Sequence, residues 1–173
     1  MLRSDFATQR IVVFTNGQYY LNPKIYVRTD LQIFQQLANQ AAAMLAQNRG
    51  KAKQLLKQAL DLFSGDFCEG VASDWCDEMR SYYRKSVVDI LKKLGHIYYE
   101  DEAFQGGLEF LYRALELDDA DESVHIAVMR CLQALNDKDG IQRQYKKLVK
   151  TLNRMGISVP SREATDIYKM SLR

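Results

Sequence analysis

The chain of 173 residues is short of proline, cysteine and histidine, and each scarcity excludes something. Two prolines leave no long proline-rich linker. Cys68, Cys76 and Cys131 are odd in number and irregularly spaced, and no C-x-x-C occurs. With only two histidines, neither a structural zinc site nor a disulfide framework is expected. The thiols read as reduced ones in a cytoplasmic protein, with Cys68 and Cys76 buried. The longest apolar stretches, Ile11 to Phe14 and Ala41 to Ala46, are far short of the roughly twenty residues a membrane span needs. No signal-peptide pattern stands at the N-terminus. Net charge is only +2, from 24 Lys and Arg against 22 Asp and Glu, so bulk charge does not point to nucleic acid.

Known catalytic signatures are missing too. No phosphate-binding glycine loop, dinucleotide fingerprint, H-E-x-x-H or G-x-S-x-G occurs. Asp66, Glu69, Asp74, Asp77 and Glu78 crowd around residue 70, but they read as capping and first-turn charge. His96 and His125 read as groove-lining or half-buried side chains. No enzyme activity, cofactor or metal is expected.

What is present is helical periodicity. From Thr29 onward, apolar residues recur at spacings of three and four. The pattern predicts helices near 30–47, 51–63, 74–100, 102–117, 121–135, 138–155 and 162–172. Thr29 or Asp30, Ser73 and Ser161 are the expected N-caps. The longest helix would run about 40 Å and bury Trp75, Met79, Tyr82, Val87, Ile90, Leu91, Leu94, Ile97 and Tyr98. Before Thr29 the chain reads differently. Ile11 to Phe14 and Tyr19 to Leu21 flank Asn16-Gly17, a β-hairpin signature. Ile25 to Val27 suggests one more short strand.

Short turns between such helices call for a repeat test. Leu91, Leu94-Gly95, Tyr98, Gly107, Leu111 and Ala114 fit the tetratricopeptide template in order. One repeat of 34 residues later stand His125, Val128-Met129, Leu132, Ile141, Tyr145 and Leu148. The apolar positions repeat and the small ones do not. Gly95 and Gly107 read as sites of close helix approach, Gly106 as a tolerated surface glycine. The expected fold is all-α, tetratricopeptide-like antiparallel helix hairpins with a short N-terminal β-hairpin.

One segment is strongly basic. Residues 141–155 carry Arg143, Lys146, Lys147, Lys150 and Arg154 and no acid. A solvated helix face is the first reading and a nucleic-acid patch the second. A single aromatic, Tyr145, gives little support to base stacking.

Several stretches together resemble the bacterial transcriptional activator domain of SARP-type regulators. They are Ser64-Gly65-Asp66-Phe67-Cys68-Glu69-Gly70 with Asp74-Trp75, then Leu111 to Asp118, Val128 to Leu132, Gln144-Tyr145 and Met155 to Ser161. The stretch Val13 to Leu21 with Asp30-Leu31-Gln32-Ile33-Phe34 resembles the junction to that family's winged helix-turn-helix domain. The resemblance divides the chain into 1–28, the end of a winged helix, and 29–173, the activator domain. Leu2-Arg3 would be the tail of the recognition helix, the rest of which is missing.

The resemblance implies a regulatory, protein-interaction module of a transcriptional activator. Its expected partners are the DNA-binding domain of the same regulator, a second protomer and RNA polymerase. Promoter DNA would be bound only with the missing domain, with Arg3, Arg10, Asn16, Gln18 and Arg28 as phosphate contacts. A tetratricopeptide groove would be lined by Asp89, Lys92, His96, Tyr99, Ile126, Arg130 and Gln133. The competing reading is a free-standing protein-binding adaptor with no DNA role. The hairpin argues against it.

Overall fold

A computed structural model describes residues 11–26, 28–157 and 159–173. Two strands, β1 (Val12–Thr15) and β2 (Gln18–Leu21), precede seven helices. These are α1 (Asp30–Met44), α2 (Arg49–Asp61), α3 (Asp74–Glu100), α4 (Phe104–Leu117), α5 (Glu122–Ala134), α6 (Lys138–Arg154) and α7 (Arg162–Ser171). The fold is all-α and tetratricopeptide-like, with the hairpin at its N-terminal end.

Local chemistry fixes the boundaries. Thr29 caps α1 in a capping box: its hydroxyl accepts from Gln32 N at 3.2 Å, and Gln32 Oε1 accepts from Thr29 N at 3.0 Å. Asn48 caps α2, Ser73 caps α3 and Ser161 caps α7. Helix α4 starts two residues later than its periodicity suggests. Glu102 takes a left-handed φ of 57°, and Ala103 N returns to Tyr98 O at 2.9 Å. That is a Schellman stop. The same stop recurs one 34-residue repeat later, with Asn136 at φ 62° and Asp137 N bonded to Leu132 O. The turn therefore keeps the repeat where the small residues lose it.

The core runs along the helices, with Leu56, Leu91, Leu94, Ile97, Leu111, Met129 and Leu148 fully buried. Helices α3 and α4 meet at glycine. A Cβ on Gly107 would lie 3.2 Å from Gly95 O, and one on Gly95 would lie 2.6 Å from the Leu111 side chain. Gly106 is not a mere surface position: a Cβ there would lie 2.7 Å from the Tyr98 ring. The close approach thus uses all three glycines.

Two expected core aromatics lie outside. Trp75 is 60% exposed and Tyr82 51%. Helix α3 has 27 residues and α4 only 14, and α4 packs on the C-terminal half of α3. The first turns of α3 therefore lack that cover. Trp75 packs edge-on against Phe67, and Tyr82 donates to Gln35 Oε1 at 3.0 Å. Cys68 is exposed rather than buried, in a loop where it takes a φ of 47°; Cys76 is buried.

In the hairpin, Asn16 and Gly17 both have positive φ, at 52° and 76°. This is the turn whose twist matches a two-residue hairpin. The register pairs Val12 with Leu21 and Phe14 with Tyr19, placing four apolar side chains on one face. That face is open: Phe14 is 62% and Tyr19 77% exposed. No third strand forms at Ile25 and Tyr26. Pro23 leads into a turn in which Ile25 N donates to Asn22 O at 2.9 Å.

A two-stranded hairpin with both faces in water is marginal. Amides 11–21 should therefore exchange within seconds while those of α3 and α4 stay protected; equal protection would contradict this. Gly95→Ala should lower the melting temperature, because overpacking costs about 1–3 kcal/mol and the gain in helix propensity is only about 1 kcal/mol. Gly106→Ala should cost less, since the added methyl would meet the half-buried Tyr98 ring rather than the fully buried Leu111.

Candidate functional site

Inner helices α3, α5 and α7 lie side by side, and α4 and α6 back them. The inner surface holds a cavity of about 330 Å³. Gly95, Leu111, Val124, Ala127 and Cys131 form its apolar floor, and Asp89, Lys92, Lys93, His96, Tyr99, Ser123 and Arg130 its rim. The floor is deep at Gly95 because no side chain stands between it and Leu111. A second hollow continues from Tyr99 and Arg130 across Gln133 to Glu163, Asp166 and Met170 of α7.

Six of the seven groove residues named from the sequence, Asp89, Lys92, His96, Tyr99, Arg130 and Gln133, lie along this continuous surface. Ile126 is half-buried against the core and lines neither hollow. The contribution of α7 was missed. Its signal was available: the repeat step from Tyr99 through Gln133 lands on Ile167.

The rim is largely self-neutralised. Lys92 Nζ lies 2.7 Å from Asp121 Oδ2, Lys93 Nζ 2.6 Å from Asp89 Oδ2, and Arg130 Nη2 2.5 Å from Glu163 Oε1. His96 Nε2 lies 3.2 Å from Glu100 Oε1. Lys92 and Arg130 thus have structural duties. Lys92 ties α3 to the cap of α5, and Arg130 ties α5 to α7.

Asp121 is the most constrained of these groups. It caps α5 through Ser123 N at 2.9 Å and accepts from Ser123 Oγ at 2.6 Å. Burial pushes its carboxyl pKa up, but hydrogen bonds from Lys92 and Ser123 and the lysine's charge outweigh burial and hold it below the ordinary value. Beneath the groove, burial pushes the Cys131 thiol up to about 11, so it stays protonated and unreactive at neutral pH. His125 is buried as well. Its Nε2 meets Asp119 O at 3.0 Å and its Nδ1 meets Gln144 Nε2 at 2.7 Å, so both ring nitrogens are satisfied. Among the described residues no group of three or more His, Cys, Asp or Glu could hold a metal ion, and no helix is long and apolar enough to cross a membrane.

Sequence reasoning also missed Arg80. Its guanidinium donates to the carbonyls of Phe67 (2.9 Å), Cys68 (3.2 Å) and Val71. Arg84 pairs with Asp66. Together they tie the Gly65-Asp66-Phe67 turn to α3.

The region 29–170 matches the family model of the bacterial transcriptional activator domain. The chain belongs to this family. The match spans the seven helices, short of the last residue of α7, and leaves the hairpin outside it. Among solved structures, the chain is similar to the C-terminal TPR-containing domain of a putative FK506-binding protein of Plasmodium falciparum. That likeness has a TM-score of 0.62 at 13% identity and covers 85% of this chain and 93% of the other. At that identity it shows the fold alone. Among curated proteins, no sequence matches the chain. The family is one of bacterial transcriptional activators.

Of the nucleic-acid residues named from the sequence, three are described: Asn16 and Gln18 at the hairpin and Arg28 just before α1. Asn16 is at the hairpin tip and Gln18 accepts from Tyr20 Oη beside it. Arg28 donates to Gln36 Oε1 on α1 instead. Arg3 and Arg10 lie outside the described residues.

Replacing Asp121 separates cap from ion pair. Asp121→Ala should cost about 1–2 kcal/mol by removing the cap. Asp121→Asn should cost about 0.2–1 kcal/mol, since asparagine still caps. A lowered folded pKa gives stability that is complete above the ordinary carboxylate value and lost as pH falls through the lowered one. The acid side of a melting-temperature profile should therefore flatten in Asp121→Asn; an unchanged profile would contradict the assignment.

Proposed function

We propose that this chain is the regulatory, protein-binding module of a transcriptional activator, and that it binds its partner in the groove of α3, α5 and α7. The observation that carries this reading is an apolar floor at Gly95, Leu111 and Ala127 ringed by charges already paired with one another. Such a surface suits a helix or peptide that inserts an apolar side chain and lays polar groups along the rim. The partners that fit are a DNA-binding domain of the same regulator, a second protomer or RNA polymerase.

In the same reading, residues 1–28 are the end of a winged helix and residues 29–173 the activator domain. The open face of Val12, Phe14, Tyr19 and Leu21 supports it, because an apolar sheet face of this kind needs a cover. A free-standing adaptor has no use for such a face. Promoter DNA is bound together with the winged helix, and the protein works in the cytoplasm.

Charge reversal at Lys92 or Arg130 would also break ion pairs inside the fold, so other positions test the groove better. His96 and Gln133 are exposed, and the contact of His96 with Glu100 lies within α3 and joins no two helices. Immobilised His96→Ala/Gln133→Ala protein should retain RNA polymerase about tenfold less than the unmodified chain, with an unchanged melting temperature. Equal retention would remove the groove from the function.

A further inference from the structure

From Gly140 onward the outer face of α6 carries charge of one sign only. Arg143, Lys147, Lys150 and Arg154 follow one another at spacings of four, three and four, with Lys146 beside them. This forms a straight stripe about 16 Å long. No acidic residue occurs from Gly140 to Arg162, and without these five cations the whole chain would carry net negative charge. All five are exposed, while the opposite face of α6 buries Ile141, Gln144, Leu148, Thr151 and Leu152. The stripe is therefore held rigidly by the core.

Pairing divides the stripe. Arg154 forms a two-pronged bond with Asp119 at 2.6 and 2.8 Å, and Arg143 lies 3.7 Å from Asp137. Lys146, Lys147 and Lys150 form no ion pair with any described residue. This contrasts with the groove rim, where each cation is neutralised. Three adjacent unpaired ammonium groups on one rigid helix repel each other, and a run of anions would relieve that repulsion. Behind Lys147 and Lys150 lies a hollow of about 780 Å³ that Tyr112, Glu116 and Asp119 also line, so the hollow carries both signs of charge where the ridge carries one.

We infer that the α6 ridge grips the phosphate backbone of duplex DNA through Lys146, Lys147 and Lys150. The ridge reads no sequence. The one aromatic on this helix, Tyr145, is stacked on Tyr168 at 4.2 Å and 7° and meets Thr165 Oγ1 at 3.2 Å, so it cannot stack on a base. The interaction should be purely electrostatic, weak alone, and strongly dependent on salt. It goes beyond the groove and does not require the hairpin to be a wing.

The test is fluorescence anisotropy of the full chain with a labelled 24-base-pair duplex of mixed sequence, from about 30 to 200 mM salt. Lys146→Gln/Lys147→Gln/Lys150→Gln should weaken binding at least tenfold at low salt. It should also reduce the slope of log affinity against log salt by about 2–3, near 0.9 for each phosphate no longer neutralised. A scrambled duplex should bind equally well. Gln18→Ala/Arg28→Gln, which tests one hairpin residue and one residue just before α1, should leave the α6 contribution intact. Unchanged affinity and slope in the triple variant would overturn the inference. So would tighter binding of polyglutamate than of DNA, which would make the ridge a docking face for an acidic protein. Circular dichroism and melting temperature of the triple variant should match those of the unmodified chain, because all three lysines are exposed.

Discussion

The close approach of α3 and α4 at Gly95 and Gly107 is the constraint on which the rest of the structure depends. Two antiparallel helices can come this near only where a side chain is missing on both. Glycine inside a helix is costly, about 1 kcal/mol each against alanine. The packing it permits offsets that cost: Leu111 seats over Gly95, and Tyr98 seats over Gly106. Leu111 then becomes the floor of the inner surface, and the rim residues of α3 stand above it. A bulkier residue at Gly95 would displace Leu111 and fill the site from below.

The second hairpin solves the same problem differently. At the equivalent positions it carries Met129 and Ile141, both buried. Buried apolar side chains fill this contact, and polar bonds add to it: His125 and Gln144 join α5 to α6, and Arg130 and Glu163 form an exposed pair between α5 and α7. The turns are more constant than the packing. The left-handed residues Glu102 and Asn136 stop the inner helices at the same point of each repeat. Ion pairs then fasten neighbouring units, such as Lys92 with Asp121 and Lys53 with Asp101.

Much of this was legible in the sequence, because helix periodicity and capping are local. Thr29, Ser73 and Ser161 announce their helices, and Asn16-Gly17 announces its turn. The repeat spacing then placed Lys92, His96, Tyr99, Arg130 and Gln133 on one surface. What escaped was set by tertiary context. Trp75 and Tyr82 have the periodicity of core residues, but α4 is too short to cover them. Cys68 sits in a loop whose path is dictated by Arg80, twelve residues on, and nothing local marks that bond. Ile126 has the right spacing for the groove, yet α5 turns it to the core. The charge balance of the groove was also hidden, since partners such as Asp121 and Glu163 lie on other helices.

Docking of a partner on the inner surface of α3, α5 and α7 is the central claim. Amide hydrogen exchange of the chain, with and without RNA polymerase, addresses it most directly. Exchange should slow in residues 89–99, 123–133 and 163–170, with α2 and α4 unchanged. Slowing confined to the outer helices would contradict the claim.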